Sequence, residues 1–154
     1  MIIYKDFIHL NDYEIKLVWQ WRNDKKISQF MKTKYIDFQE HLNFIIALKK
    51  DQTKKYFLVL KDDEVIGVIY FINITQDSCE FGLYAKPNLK GVGQILMQEI
   101  KKYAFEILKI KELKACAFKQ NKKALDLYLK SGFFVTSKND DFFFLSSTLP
   151  QNLF

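Results

Sequence analysis

Hydrophobic and polar positions alternate along the chain with two different periods, which separates predicted helices from predicted strands. Residues 2–10 predict a first strand, and apolar positions then recur twice at helical spacing. Each of these helices follows a capping pattern, Asn11 with Glu14 and Asp37 with Glu40. In such a pattern the first side chain accepts a hydrogen bond from a free N–H of the first turn. The start of the chain therefore predicts one strand and two capped helices.

The rest of the chain predicts a run of strands interrupted by two further helices. Strands are predicted over residues 56–60, 65–71, 78–85, 113–118, 133–135 and 142–146, and helices from residue 94 and over residues 121–131. Gly132 follows the last helix as a suitable C-terminal cap. This order predicts an α/β fold, in which a mixed, mostly antiparallel sheet of about seven strands is flanked by four helices on both faces. At 154 residues we expect a single domain over residues 1–154.

Composition places this chain among ordered proteins without a membrane span. Hydrophobic residues make up 49% of the chain and aromatic residues 16%, which excludes intrinsic disorder. Charge interrupts every apolar stretch, so no segment approaches the roughly 20 residues that cross a bilayer, and no signal-peptide pattern is present. Cys79 and Cys116 show neither metal-ligand spacing nor a disulfide framework. We expect a cytoplasmic protein with reduced cysteines and no metal or membrane partner.

The basic charge of the chain contains one unusual feature. The formal net charge is +6 and the pI about 9.1, which favours anionic partners. The lysines are scattered, which indicates a solvated surface rather than a nucleic-acid site. Arg22 is the single arginine among 24 basic residues and ends the apolar stripe of the first helix. Because only arginine offers a planar fork of donors, this position predicts a specific contact with an anion.

A glycine-containing loop connects the strand over residues 78–85 to the next helix. Gly91 and Gly93 stand at the start of that helix, where free backbone N–H groups attract phosphate. Glycine lets an anion approach the main chain closely. Lys90 adds a positive charge and Asn88 a possible donor. A tight strand-to-helix turn with no ligand explains the same pattern equally well.

A second motif lies about thirty residues further on, over the predicted helix at residues 121–131. Asn121, Ala124 and Tyr128 are spaced to share one helical face, and Gly132 and Phe133 follow. A tyrosine on such a face is usually a packing residue. Together with the glycine loop and the order of elements, however, the motif closely resembles the GCN5-related N-acetyltransferase (GNAT) family over nearly the whole chain.

The resemblance implies acetyl-CoA as co-substrate. The loop is similar to the family's pyrophosphate loop, although Asn88 replaces the usual Gln or Arg. The strand ending at Tyr84 would separate from the strand at residues 113–118, and the pantetheine arm would lie in that gap. The cofactor-binding residues implied are Leu83, Tyr84, Ala85, Asn88, Lys90, Gly91, Val92, Gly93, Gln94, Asn121 and Ala124.

The resemblance also implies catalytic groups. A tyrosine hydroxyl can give a proton to a departing thiolate, so Tyr128 is the candidate general acid. A backbone N–H near Tyr84 would stabilise the oxyanion. Glu80 matches the position of the family's base, acting through water with help from Ser78. A solvent-facing strand residue is the alternative for Glu80.

The acceptor is implied by a narrower resemblance, to the branch of the family that acts in bacterial pseudaminic acid biosynthesis. That branch acetylates the 4-amino group of a UDP-linked 4-amino-4,6-dideoxy-N-acetyl-altrosamine. The acceptor site would include Trp21, Arg22, His41 and Tyr84, with Arg22 and His41 on the phosphates. A buried boundary histidine is the ordinary alternative for His41. Acetylation of a polyamine or a protein N-terminus, or a silent acyl-CoA-binding module, stays open, as does a homodimer.

Overall fold

The computed structural model describes residues 1–148, and its seven strands form one continuous sheet. The strands are β1 Ile2–Asp6, β2 Lys55–Lys61, β3 Glu64–Ile72, β4 Ser78–Ala85, β5 Glu112–Phe118, β6 Phe134–Lys138 and β7 Phe142–Thr148. The helices are α1 Asp12–Asn23, α2 Lys25–Ser28, α3 Phe38–Leu48, α4 Gly93–Lys102 and α5 Lys122–Lys130. A π-helical turn, Tyr103–Ile107, extends α4.

The sheet has the order β1-β2-β3-β4-β5-β7-β6. All neighbours are antiparallel except β4 and β5, which are parallel. The two parallel strands pair only from Ser78–Glu112 to Glu80–Lys114, although β4 continues to Ala85. The mixed sheet and its separated central pair confirm the predicted fold class.

Each face of the sheet is covered by its own hydrophobic core. One core contains Leu96, Met97 and Ile100 of α4 together with Tyr128 of α5. The other packs α1, α2 and α3 on the opposite face, with Val18 at its centre. Because successive strand residues point to opposite faces, β4 contributes to both cores. Hence the end of β4 lies between two sets of helices.

The predicted capping patterns are confirmed in part. Asn11 and Glu14 form a reciprocal capping box on α1. The Asp37 side chain accepts a hydrogen bond from the Glu40 N–H at 2.8 Å, which caps α3. Gly132 follows α5 with a positive φ of 91°. Hydrogen bonds of the first and last turns therefore fix these helix ends.

The predicted end of β1 and the predicted number of helices were wrong. β1 ends at Asp6 rather than at residue 10, because the Asp6 side chain accepts a hydrogen bond from Ile8 N–H and starts a 3₁₀ turn over Phe7–His9. Five helices form in residues 1–148 rather than four. The additional one-turn helix α2 is capped at its N-terminus by Asp24, whose carboxylate accepts a hydrogen bond from Lys26 N–H at 2.9 Å. Both errors concern short turns capped by an aspartate, which hydrophobic periodicity does not register.

Candidate active site

The gap between β4 and β5 is the centre of the candidate site. Beyond Glu80 the backbone groups of β4 that face β5 have no strand partner. On its other side β4 stays paired with β3 as far as Ala85. Unpaired strand groups bind extended ligands that carry amide groups. The gap therefore suits an extended, amide-containing chain such as the pantetheine arm of a coenzyme A thioester.

The N-terminus of α4 opens beside this gap. Val92 precedes the helix and provides no side-chain cap, and the first helical bond runs from Leu96 N–H to the Val92 carbonyl at 2.9 Å. The N–H groups of the first turn are therefore directed at an external acceptor. Gly91 has a φ of +82°, and a Cβ there would meet nothing within 4 Å. This backbone conformation and open space fit the approach of a phosphate.

Gly93 and Asn88 contact other protein groups, whereas the sequence predicted that both face a phosphate. A Cβ on Gly93 would lie 3.4 Å from the Leu127 side chain of α5, so this glycine faces helix packing rather than open phosphate space. The Lys26 ammonium donates a hydrogen bond to Asn88 Oδ1. Lys90 and Gln94 are exposed next to the loop, whereas Val92 packs in the core. Their contacts with a cofactor stay predictions.

Tyr128 lies buried on the α5 side of the gap, with 5% of its surface exposed. Its ring packs edge-on against Phe81 of β4, with centroids 5.2 Å apart. Burial raises the pKa of the Tyr128 hydroxyl well above its usual value. In residues 1–148 this hydroxyl has no hydrogen-bond partner, and it is not among the fully buried unsatisfied atoms. Tyr128 is therefore a protonated phenol with an accessible hydroxyl.

Other predicted cofactor residues surround the gap on the same side. Asn121 caps α5, since its Oδ1 accepts a hydrogen bond from Ala124 N–H at 3.3 Å. Leu83 and Ala85 pack against the core beneath α4 and α5. The observed hydrogen bond of the Asn121 amide oxygen is therefore explained by helix capping alone. Its predicted contact with the cofactor is not excluded by the bond, because the Nδ2 group is not used in it.

The two predicted base residues lie on the opposite face of β4. Glu80 is half-buried at the point where pairing with β5 ends, and its carboxylate accepts a hydrogen bond from Asn73 Nδ2 at 3.3 Å. Ser78 lies at the closed end of the strand pair, where its backbone and hydroxyl contact Thr75. Glu80 is therefore placed beside the gap, whereas Ser78 is the first residue of β4, at the end of the strand that is paired with β5.

Arg22 reaches toward the same face from the end of α1. One guanidinium nitrogen, Nη2, donates to the Thr33 carbonyl at 2.9 Å. The other, Nη1, is buried and, within residues 1–148, has no hydrogen-bond partner. Burying an unpaired donor of a charged group is costly, which favours a further, anionic partner at this position.

Three other predicted acceptor residues are buried in the core. Trp21, Tyr84 and His41 are exposed by only 5%, 8% and 5%. His41 Nε2–H donates to the Ile15 carbonyl at 3.0 Å and so joins α3 to α1. Burial lowers the pKa of His41 below its usual value and keeps the ring neutral. The geometry favours packing roles, and direct contacts of these side chains with an acceptor stay predictions.

Sequence reasoning missed the contacts that hold the segment between α2 and α3. Trp19 Nε1–H donates to the Ile36 carbonyl at 2.8 Å. The Asn23 side chain donates to the same carbonyl at 2.7 Å and accepts from Ile36 N–H at 2.9 Å. These bonds fix the segment that carries Thr33, the partner of Arg22. Since they join a helix to an irregular segment, hydrophobic periodicity contains no signal for them.

Comparison with known proteins agrees with this architecture. The profile of the acetyltransferase (GNAT) family matches residues 15–133, and the chain belongs to this family. It is therefore an acetyltransferase with acetyl-CoA as co-substrate. In the part of the chain that the structure describes, no helix is long and apolar enough to cross a membrane. No cluster of three or more His, Cys, Asp or Glu residues suited to a metal ion occurs there either.

Three comparisons with known proteins extend over almost the whole chain. The acetyltransferase PseH of Campylobacter jejuni is 61% identical over 145 residues, which cover 94% of this chain and 92% of the relative. The crystal structure of C. jejuni N-acetyltransferase PseH in complex with acetyl coenzyme A superimposes with a TM-score of 0.86 and 52% identity, covering 97% and 100% of the two chains. Spermidine N-acetyltransferase from Vibrio cholerae, in complex with CoA and spermine, reaches a TM-score of 0.84 at 20% identity over 96% and 95%. That likeness shows the fold alone.

The depressed pKa of His41 predicts a pH-dependent stability. Below about pH 6.5 the unfolded chain binds a proton on this imidazole, whereas the folded chain does not until the pH falls further. Unfolding therefore becomes more favourable as the pH falls. We expect the melting temperature of the wild type to fall more steeply between pH 7.5 and pH 5 than that of His41→Gln. His9→Gln, which changes an exposed histidine, is the control and should keep the wild-type slope. Parallel slopes in all three proteins would show that His41 is not held neutral.

Proposed function

We propose that this protein transfers the acetyl group of acetyl-CoA to the 4-amino group of a UDP-linked 4-amino-4,6-dideoxy-N-acetyl-altrosamine. The observation that carries the proposal is the gap between β4 and β5. A protonated tyrosine borders this gap on the α5 side, and a half-buried arginine, whose buried Nη1 is an unused donor, lies on the face covered by α1. Similarity to PseH over most of the chain supports the same acceptor. The donor and the acceptor thus have separate entrances to one reaction centre.

Acetyl transfer in this gap is a direct attack within a ternary complex. The lone pair of the acceptor amine attacks the thioester carbon, a C–N bond forms, and the C–S bond then breaks. Free N–H groups of β4 beyond Glu80 stabilise the negative charge on the carbonyl oxygen. The sulfur leaves as a thiolate and takes the hydroxyl proton of Tyr128. Glu80, through water, accepts the proton that the amine loses.

The acceptor's phosphates are assigned to Arg22. The unused Nη1 and the planar fork suit paired charge-assisted bonds to a diphosphate. Its other nitrogen, Nη2, is held by the Thr33 carbonyl, so the fork is oriented before the acceptor binds. A polyamine acceptor is disfavoured because its cationic amines would meet this guanidinium. A silent acyl-CoA-binding module is disfavoured by the accessible hydroxyl of Tyr128, which such a module does not need.

The acceptor itself is tested by a panel of amines. Purified protein and acetyl-CoA are mixed with UDP-linked amino sugars, polyamines or peptides, and the release of free CoA thiol is followed. We expect rapid release with the UDP-linked 4-amino sugar. Release only with spermidine or with a peptide would refute the proposed acceptor and keep the acetyl transfer.

Two further assignments accompany the proposal. We place the reaction in the cytoplasm, in keeping with two free cysteines, Cys79 and Cys116. A homodimer, which the sequence leaves open, would use the edge of the sheet, since β6 is exposed along its whole length, including Phe134 and Val135. Sedimentation equilibrium measures the mass directly, and a monomer at micromolar concentration would refute the dimer.

The role of Tyr128 predicts a loss of turnover without a loss of binding. Tyr128→Phe keeps the packed ring and removes only the proton donor, so kcat should fall by about 10²–10⁴-fold. The dissociation constant of acetyl-CoA should stay unchanged in calorimetry. Tyr13→Phe, at a residue 74% exposed on α1, is the matched control with wild-type kcat. If Tyr128→Phe has wild-type kcat, the hydroxyl is not the proton donor and Tyr128 is only a packing residue.

The role of Arg22 predicts a selective effect on the acceptor. Arg22→Lys keeps the charge without the fork and should raise KM for the UDP-sugar. Arg22→Ala should raise it more, by roughly 10- to 100-fold, because a hydrogen bond to a charged group contributes about 1.5–3 kcal/mol. KM for acetyl-CoA should not change. Lys25→Ala, an exposed cation nearby, is the control. A lower melting temperature with unchanged KM would mean that Arg22 only anchors the Thr33 segment.

A further inference from the structure

A tyrosine of β3, Tyr70, reaches the same gap from the face covered by α1 and α3. Tyr70 pairs with Gly82 of β4 in the register of the sheet. Glu80 is the last residue of β4 that pairs with β5, so Gly82, two residues later on the same face, is beside the opening. The register alone therefore places the side chain of Tyr70 next to the mouth of the gap.

Gly82 lets the Tyr70 ring lie directly over the backbone of β4. A Cβ at position 82 would be 2.0 Å from Tyr70 Cζ and 2.1 Å from its hydroxyl oxygen. Real Cβ atoms do not approach other atoms this closely, so any side chain at this position would displace the ring. The hydroxyl end of Tyr70 thus occupies the space that a side chain of β4 would fill.

The ring of Tyr70 is held rigidly while its hydroxyl stays free. It stacks on Tyr56 of β2, with centroids 4.7 Å apart and ring planes 7° from parallel. Tyr56 packs in turn against Phe44 at 4.9 Å and Phe7 at 5.4 Å. No hydrogen bond in residues 1–148 uses the Tyr70 hydroxyl, and it is not among the fully buried unsatisfied atoms. Tyr70 is half-buried, and a tyrosine that is withdrawn from solvent usually pairs its hydroxyl, which makes this free group a candidate for binding substrate.

The groups that act electrostatically on Tyr70 are those of the candidate site. Burial raises the pKa of Tyr70 to about 12; the Arg22 cation opposes this rise, and Glu80 and Cys116 add to it. Tyr70 in turn contributes to the raised pKa of Tyr128. These neighbours come from α1, β4, β5 and α5. At neutral pH the Tyr70 hydroxyl is therefore uncharged, with lone pairs to accept a hydrogen bond and a proton to donate.

We propose that Tyr70 positions the acceptor, its hydroxyl oxygen accepting a hydrogen bond from an N–H of the attacking amino group. Held in this way, the amine directs its lone pair at the thioester carbon from the α1 side of the sheet. Tyr128 serves the departing thiol from the α5 side. Tyr70 makes and breaks no covalent bond and transfers no proton. The assignment rests on the proposed acetyl transfer and adds a residue that the family's two motifs do not contain.

Removal of the Tyr70 hydroxyl tests the assignment. Tyr70→Phe keeps the ring and its stacking, so the melting temperature and the dissociation constant of acetyl-CoA should stay at wild-type values. We expect kcat/KM for the acceptor to fall about 10- to 100-fold, since a small misplacement of a reacting group costs up to about 10²-fold. Tyr56→Phe removes the hydroxyl of the next ring in the stack, one strand further from the gap, and should keep wild-type kinetics.

A double-mutant cycle with Gly82→Ala is the second measurement. The added methyl group displaces the Tyr70 ring, so Gly82→Ala alone should lower kcat/KM for the acceptor. In the Tyr70→Phe background the same change should cost little more, because the two positions act through one hydroxyl. Strictly multiplicative losses would show that Gly82 and the Tyr70 hydroxyl act independently, which overturns the inference.

The assay uses whichever amine the wild type acetylates, so its outcome is separate from the identity of the acceptor. Wild-type kcat/KM in Tyr70→Phe would overturn the positioning role even if the UDP-sugar is the true acceptor. An equal loss of acetyl-CoA affinity would overturn it too, because a general disturbance of the gap would then explain the effect. A wild type that acetylates no amine at all would refute the proposed function and this inference together.

Discussion

The separation of β4 from β5 is the constraint on which the rest of the site depends. Each of the two strands is paired on its outer side along the gap, β4 with β3 from Glu80 to Ala85 and β5 with β7 from Glu112 to Phe118. They share only the pairs that end at Glu80. Backbone polar groups require partners, so the open stretch of β4 is a preformed site for an extended ligand rather than a defect of the sheet.

The helices on the two faces of the sheet place different functional groups on the two sides of the gap. On one face, α4 provides a phosphate-compatible N-terminus at Gly91, and α5 provides the protonated hydroxyl of Tyr128. On the other face, α1 provides Arg22, and the strands provide Glu80 and Tyr70. In the proposed mechanism, two substrates would enter from opposite faces and meet at the gap. This arrangement explains how the acetyl group can pass directly between them without a covalent enzyme intermediate.

Local sequence patterns predicted the order of elements, the caps at Asn11 and Asp37, and the site loop, because these depend on residues close together in the chain. They did not predict that Tyr70 lies at the gap. Its position there depends on the pairing of β3 with β4, which places Tyr70 opposite Gly82, twelve residues later in the chain. They also missed the bond from Arg22 to Thr33, which joins a helix to an irregular segment. In general, periodicity reports which side of an element is buried, whereas it does not report what that side contacts.

The central claim, that acetyl-CoA binds in the gap between β4 and β5, is tested most directly by hydrogen–deuterium exchange with and without acetyl-CoA. Bound pantetheine should slow the exchange of amides in residues 81–85, and bound pyrophosphate that of residues 91–95. Strands β1 and β2 should be unaffected. Unchanged exchange in residues 81–85 at a saturating concentration of acetyl-CoA would contradict the account.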